Sequence, residues 1–393
     1  MRLILPTSIC IPTNKQLRRI EEMDASVNND TQVAAPIQGK PYTAKKERME
    51  WLDATRGFTM ILVVAYHIAV AGFGENIKQS SSLPLLVLFR MPLFFFISGF
   101  LAYKSDFIWT RGRLGMMMWK KLKIQVLPAA VFLCIALVVN NPKFGDAFMD
   151  AMASPTKGGY WFTYVLLQMF IIYYLFSFFE SEWNKRRSWV PIAILWFVAL
   201  SVYATIYMPS WFDYHKDPFF HYSSLVETMR YFHFFVFGNI VRRYWDSWQR
   251  LFDSNWFFSV VAIVCFFCCA DILKWHTLQF QWTNLPRTTA MYLLLLTVFM
   301  FFRYYKDLFT KQTRIGRFLQ YIGVRTLDIY LIHFLFLPRI TQVGQMLNGL
   351  KHNFVFDICV SVAYAMLVLG FTCLVSNVLR MSPWFRRYLF GRK

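Results

Sequence analysis

From Trp51 to Arg380 the chain is a succession of long apolar stretches separated by short charged loops, and that alternation leaves few folds open. Ten stretches, with soft edges, read as spans: 52–73, 84–103, 123–140, 160–180, 190–208, 228–242, 256–274, 286–302, 322–343 and 355–379. A span takes roughly 17–25 residues of helix. Helix is required because lipid offers no partner to an unpaired backbone group. The runs are continuous rather than alternating, which excludes a membrane β-barrel. The expected fold class is therefore an all-α polytopic membrane protein with ten transmembrane helices. Composition agrees: 56% of residues are hydrophobic and 16% charged, and Phe alone occurs 42 times. Soluble domains carry about 25% charge, and disorder needs low hydrophobicity. Seven Cys are too sparse for a disulfide scaffold. No internal repeat is visible, and no loop is long enough for a second domain. Residues 1–50 are polar and mixed and read as a cytoplasmic tail; Leu3–Ile11 is too short for a span and precedes no cleavage-site pattern. Residues 51–380 form the membrane domain, and 381–393 a basic tail.

The basic residues tell the two sides apart. Of 42 Lys and Arg, thirty-one fall in residues 1–50, in every second loop, or at the C-terminus; seven fall in the alternate loops. The positive-inside rule makes the rich side cytoplasmic and places both termini there. The net charge of +20 is thus spread over loops, with no basic domain to read as a nucleic-acid binder.

Four Arg remain inside apolar segments: Arg56, Arg90, Arg230 and Arg339. Each costs at least about 2.5 kcal/mol at the centre of a span and is expected to face the bundle interior or a wet cavity, usually against an anion or a carboxylate. Arg230 and Arg339 lie near span ends, so snorkelling is an equal reading for them. Asp53 stands one turn before Arg56 and is placed to pair with it. His67 and His333 also fall inside spans, with His233 a weaker case. Such a His is either an interhelical hydrogen-bonding residue or a general base in a dry cavity. Arg56 and His67 are eleven residues apart. At about 100° per residue they share one helix face, roughly 16 Å apart along the axis. They cannot grip one small group. They can contact two ends of a long ligand.

Asp53-Ala-Thr-Arg56-Gly57 followed by His67 resembles the opening of the acyltransferase-3 family, integral membrane O-acyltransferases with an Arg-x10-His motif. Further similarities follow in family order: Arg90-Met-Pro92 through Ser98-Gly99-Phe100, the run Lys120-Lys121-x-Lys123 before Leu127-Pro128, Tyr160-Trp161-Phe162, and Thr326-x-x-Ile-Tyr330-Leu-Ile-His333. Together they cover about residues 50–380, with Lys where many members have Arg in the third. The resemblance implies transfer of an acyl group, commonly acetyl, from cytoplasmic acyl-CoA (acetyl-CoA in the common case) to a carbohydrate or glycolipid hydroxyl at the outer face of a bacterial inner membrane. It implies His67 as general base, on the acceptor hydroxyl or on the CoA thiol, with His333 as a second catalytic residue. It implies Arg56 either at the CoA phosphates, which Arg's planar fork suits, or as a catalytic-site residue that holds the site's electrostatics. Arg90, Arg230, Lys120, Lys121 and Lys123 are the further candidates for donor binding, although the three Lys read equally as topology markers. Asp53, Ser98, Gly99, Trp161 and Tyr330 are expected to support the site.

Other signals are weaker. Ser98 lacks a nucleophile elbow and an acid partner, so close packing through Ser98-Gly99 is the preferred reading. Cys265, Cys268 and Cys269 have no His or carboxylate near them, so packing is favoured over metal, and no metal site is expected. Tyr160, Trp161, Trp211, Trp275 and Trp282 fit an outer aromatic belt. Asp328 is placed to neutralise either Arg56 or a cytoplasmic Arg. The competing function is a secondary transporter or flippase of a glycan-related anion, for which buried Arg and His are also expected, though the repeat symmetry common in transporters is not visible.

Overall fold

The computed structural model describes residues 48–77, 80–105, 107–140, 143–183, 188–206, 214, 217–272, 287–349 and 353–390. Expectations for residues 1–47, Lys78, Lys185, Arg186, Arg187, Trp211, Lys216, Lys274, Trp275, Trp282, Lys351, Arg392 and Lys393 lie outside the described residues. Among the described residues every regular element is a helix. Helix α1 (Glu50–His67) runs on through a π turn to Gly72, and α2 (Leu83–Ala102) returns beside it. Then come α3 (Arg111–Lys121), which passes through a second π turn into α4 (Leu127–Asn140), α5 (Phe144–Ala153), α6 (Trp161–Glu182) and α7 (Val190–Thr205). The second half holds α8 (Pro218–Ser223), α9 (Leu225–Arg243), α10 (Trp245–Phe252), α11 (Asn255–Ile272), α12 (Arg287–Tyr304), α13 (Arg314–Gly323), α14 (Thr326–Ile332), α15 (Thr341–Gly349), α16 (Phe354–Met381) and α17 (Pro383–Tyr388).

Five described stretches are long and apolar enough to cross a bilayer: Glu50–Gly72, Leu83–Ala102, Arg111–Val139, Trp161–Glu182 and Phe354–Met381. A sixth joins them if α10 and the following helix, bent by 75°, count as one span. The chain is thus a polytopic all-α membrane protein. Val190–Thr205, Leu225–Arg243 and Arg287–Tyr304 are also helices, but the first is short and the other two carry charges at their ends. The expected ninth span is not one helix. It breaks into α13, α14 and a 3-10 turn at His333–Phe336. Pro338 explains where it stops, since proline has no N–H to donate and keeps its predecessor out of the helical region.

Aromatic packing fills the core: Phe95, Phe96, Phe100, Phe234, Phe235 and Phe299 are all fully buried. Helices α2 and α9 approach closely enough that a Cβ at Gly99 would lie 1.8 Å from the Phe235 carbonyl oxygen, and one at Gly238 2.0 Å from that of Phe96. The preferred packing reading of Ser98-Gly99 therefore matches the structure; Ser98 Oγ donates to the Phe94 carbonyl at 2.8 Å within its own helix. Two buried carboxylates are paired with Arg. Arg243 holds Glu180 with two bonds of 2.6 and 2.9 Å. Asp328 takes Arg380 rather than Arg56, and also accepts from Ser376 Oγ at 2.8 Å.

The α1–α2 connection carries an exception. Asp357 Oδ2 accepts from Ser80 Oγ and from the Ser81 and Ser82 amides at 2.9–3.1 Å, tying the start of α2 to α16. Glu75 is buried beside this knot, 3% exposed, and neither of its carboxylate oxygens has a hydrogen-bond partner among the described residues. Burial first, and the Asp357 charge after it, push the Glu75 carboxyl above its ordinary 4.5, against a smaller opposing effect of Ser80. The folded protein therefore holds this proton longer than the unfolded chain, and stability falls as pH rises through the window above 4.5. Glu75→Gln is expected to raise Tm at pH 7 by a few °C, with the gain vanishing below pH 4.5; thermal melts of the purified protein at both pH values check it.

Candidate active site

Helix α1 places the first two site residues. It continues unbroken from Glu50 to His67, so the eleven-residue spacing of Arg56 and His67 puts both on one wall of a cavity of about 960 Å³. Arg56 is positioned twice. Nη1 lies 3.4 Å from Asp53 Oδ1, as the one-turn spacing anticipates, and Nη2 donates to Thr326 Oγ1 at 2.9 Å. Thr326 opens α14, so this bond joins two helices 270 residues apart in sequence.

Around the Arg56 end the cavity is lined by Lys104, Lys120 and Lys121. Lys121 lies within electrostatic range of Lys104, Lys120 and Arg56, and its ammonium sits 3.5 Å over the Phe170 ring. Burial, and then the neighbouring Lys120, push the Lys104 ammonium below its ordinary value. Lys123 takes no part in the lining; it lies over the Trp119 ring at 4.9 Å. Three Lys gathered beside Arg56 repel one another, and the positive potential they add up to favours an anion at this end.

The other end holds His67. Its ring packs against Phe334 at 4.9 Å and Tyr66 at 5.4 Å between centroids. His333 stands 5.2 Å behind it, fully buried and not on the cavity wall. His333 Nδ1 is 2.9 Å from the Ile329 and Tyr330 carbonyl oxygens. Carbonyls only accept, so Nδ1 carries the proton and Nε2 is left as an acceptor. Nε2 has no partner among the described residues.

Arg90 and Arg230 both line the cavity, but in different states. Arg230 Nη1 holds both oxygens of Glu227 at 2.9 and 3.1 Å. Arg90 lies 3.5 Å over the Tyr66 ring. Arg339 is exposed and outside the lining, consistent with its snorkelling reading. Trp161 stacks on Tyr231 at 6.0 Å and Tyr231 on Phe95 at 5.2 Å, forming a flat aromatic wall. Tyr330 Oη donates to the Gly159 carbonyl at 2.7 Å and accepts from the Phe162 amide at 3.1 Å. It thereby fixes the strap Thr156–Gly159 over the His67 end. Lys157, counted from sequence only as background charge, clamps that strap: its ammonium donates to the Met152, Ser154 and His221 carbonyls at 2.6–2.9 Å. Tyr66, Lys104, Glu227, Tyr231 and Thr326 are the lining residues that sequence reasoning passed over. Lys104 was in view, but only as a marker of sidedness.

No group of three or more His, Cys, Asp or Glu able to hold a metal occurs among the described residues. Cys265 and Cys269 lie 4.0 Å apart, sulfur to sulfur, in α11.

The chain belongs to the acyltransferase-3 family: the family model described as an acyltransferase domain matches residues 49–380. No curated protein and no solved structure matches the chain. The membrane acyltransferase class follows from the family, and Arg56, His67, Arg90 and the Lys120 run all fall inside the matched region.

Proposed function

We propose that this protein moves an acyl group, acetyl in the first instance, from cytoplasmic acyl-CoA to a hydroxyl of an envelope carbohydrate or glycolipid. The observation that carries this reading is the polarity of a single cavity. Arg56, Lys104, Lys120 and Lys121 line one end, and His67 lies roughly 16 Å away along α1. A CoA thioester has the same polarity, with phosphates at one end and the reactive carbon at the other. Both termini are read as cytoplasmic in a bacterial inner membrane, which puts the cationic end on the side where acyl-CoA is made. The ten-helix topology belongs to this reading and accounts for the loop charge asymmetry.

His67 is the general base. A sugar hydroxyl is a poor nucleophile until its proton is removed. His67 takes that proton as the oxygen bonds to the thioester carbon; the C–S bond then breaks, and the thiolate leaves with the proton from His67. His333, locked by two carbonyls, offers its Nε2 lone pair behind the His67 ring and acts as a positioning residue. The acyl-CoA is a substrate, and the scheme uses no metal.

Titrating purified protein with acetyl-CoA, and following free thiol on addition of an envelope glycan extract, tests the reading. Arg56→Ala is expected to weaken acetyl-CoA binding by roughly ten- to a hundredfold, the loss of one charge-assisted contact worth about 1.5–3 kcal/mol. Added salt should weaken wild-type binding as well. A protein that binds no acetyl-CoA, and in liposomes carries a glycan-related anion across the bilayer, would instead be the transporter.

A further inference from the structure

We propose that Arg90 is a catalytic residue: it holds the carbonyl oxygen of the acyl donor and receives the negative charge that develops there during transfer. This rests on the reading of His67 as base. Arg90 was grouped by sequence with the donor-binding cations, and its place in the fold separates it from them.

Position comes first. Arg90 lies on α2, 7% exposed, with its guanidinium carbon 3.5 Å from the Tyr66 ring centre. That ring is 5.4 Å from the ring of His67, so guanidinium and imidazole stand within about 9 Å of each other. The donor's phosphates and its thioester are opposite ends of one molecule. With the phosphates at Arg56 and Lys121, the thioester falls at His67 and therefore at Arg90. A phosphate contact at Arg90 would need the donor reversed, away from the base.

Charge comes second. Glu227, a carboxylate of the lining, is engaged by Arg230. Asp53 belongs to Arg56, and Asp328 to Arg380. Arg90 Nε has no hydrogen-bond partner among the described residues. Tyr66 gives the guanidinium a face to rest on, which stabilises a cation without neutralising it. An unneutralised, permanently charged donor aimed at a cavity beside the base is the arrangement an oxyanion requires.

The electron count closes. His67 takes the hydroxyl proton, and the acceptor oxygen forms a bond to the carbonyl carbon. The carbonyl π pair moves onto oxygen, where Arg90 holds it. The pair returns to re-form the carbonyl, the C–S bond breaks, and the thiolate takes the proton from His67.

The test uses the full chain in nanodiscs, acetyl-CoA as donor and an envelope glycan extract as acceptor. Arg90→Gln should lower kcat by about 10²–10³ while leaving acetyl-CoA affinity within threefold of wild type. Arg90→Lys should recover part of kcat. Tyr66→Leu, which removes the platform and keeps the charge, should lower kcat with affinity unchanged, and it decides the matter if neither Arg90 variant folds. The proposal is overturned if Arg90→Gln weakens acetyl-CoA binding tenfold at unchanged kcat, if it raises only the acceptor KM, or if Tyr66→Leu, when it must stand alone, keeps full kcat. Wild-type protein that binds no acetyl-CoA overturns the acyl-CoA reading and this proposal together, an outcome distinct from those splits.

Discussion

His67→Ala is expected to insert and fold normally, to bind acetyl-CoA within about threefold of wild type, and to lose acyl transfer by a factor of 10²–10⁴, the usual worth of a positioned general base. The two halves of that expectation have separate causes. Binding is expected to hold because Arg56, the proposed phosphate contact on α1, sits roughly three helical turns away, and because His67 packs edge-on to Tyr66 and Phe334. Turnover collapses because the acceptor hydroxyl keeps its proton. Arg56→Ala should show the converse split, a binding loss with a smaller effect on kcat. Sites this far apart with no shared partner combine additively, so the double variant should lose kcat/KM by the product of the two single losses. Thiol release and equilibrium titration on the three variants check this. A His67→Ala protein with full transfer would remove the base from the scheme, and a strongly non-additive double variant would mean that the two residues act on one group.

How far such a site can be read before any coordinates depends on where its parts lie along the chain. Arg56 and His67 were legible because one uninterrupted helix carries both, and helical arithmetic relates them directly. Asp53 was legible for the same reason, one turn away. Thr326 and Tyr66 were not. The Thr326 bond to Arg56 spans 270 residues, and no periodicity in α1 points to α14. Tyr66 has its role because α2 returns beside α1 and brings Arg90 over its ring. Positive charge was legible as sidedness, and for Lys120 and Lys121 donor binding was an equal reading; Lys104 was read by sidedness alone, and all three line the cavity. The broken segment 322–343 shows the limit of hydropathy. An average over a window records how apolar a stretch is, and it does not register the change of helix at Val324 and Arg325 or the 3-10 turn that carries His333. There the Ile329 carbonyl takes the His333 amide as the helix ends and, with the Tyr330 carbonyl, also holds one imidazole nitrogen.

Gly99→Val should fail at the level of the fold. The contact between α2 and α9 is reciprocal: each helix presents a glycine to a backbone carbonyl of the other, and a Cβ on either would stand about 2 Å from that oxygen. No rotamer relieves such an overlap, because the obstacle is main chain on both sides. The helices would have to part by more than an ångström. Membrane helices gain much of their association from this kind of close backbone approach through small residues. Parting them would also open the core that buries Phe95, Phe96 and Phe235 on the same two helices, where overpacking of one side chain alone costs about 1–3 kcal/mol against a total stability of roughly 5–15 kcal/mol. The damage would reach the cavity, since α2 carries Arg90 and Ser98 and α9 carries Glu227, Arg230 and Tyr231, all of them lining residues. The expected result is a protein that elutes as aggregate from detergent and shows no cooperative melt. Gly238→Val should behave alike, because it strikes the same interface from the other helix. Val at Gly112, where a Cβ meets nothing within 4 Å, should leave Tm near the wild-type value. Size-exclusion profiles and melts of the three variants decide it. A monodisperse Gly99→Val protein with wild-type Tm would mean that α2 and α9 do not pack through these glycines, and the positions of Arg90 and Arg230 on the cavity wall would fall with that contact.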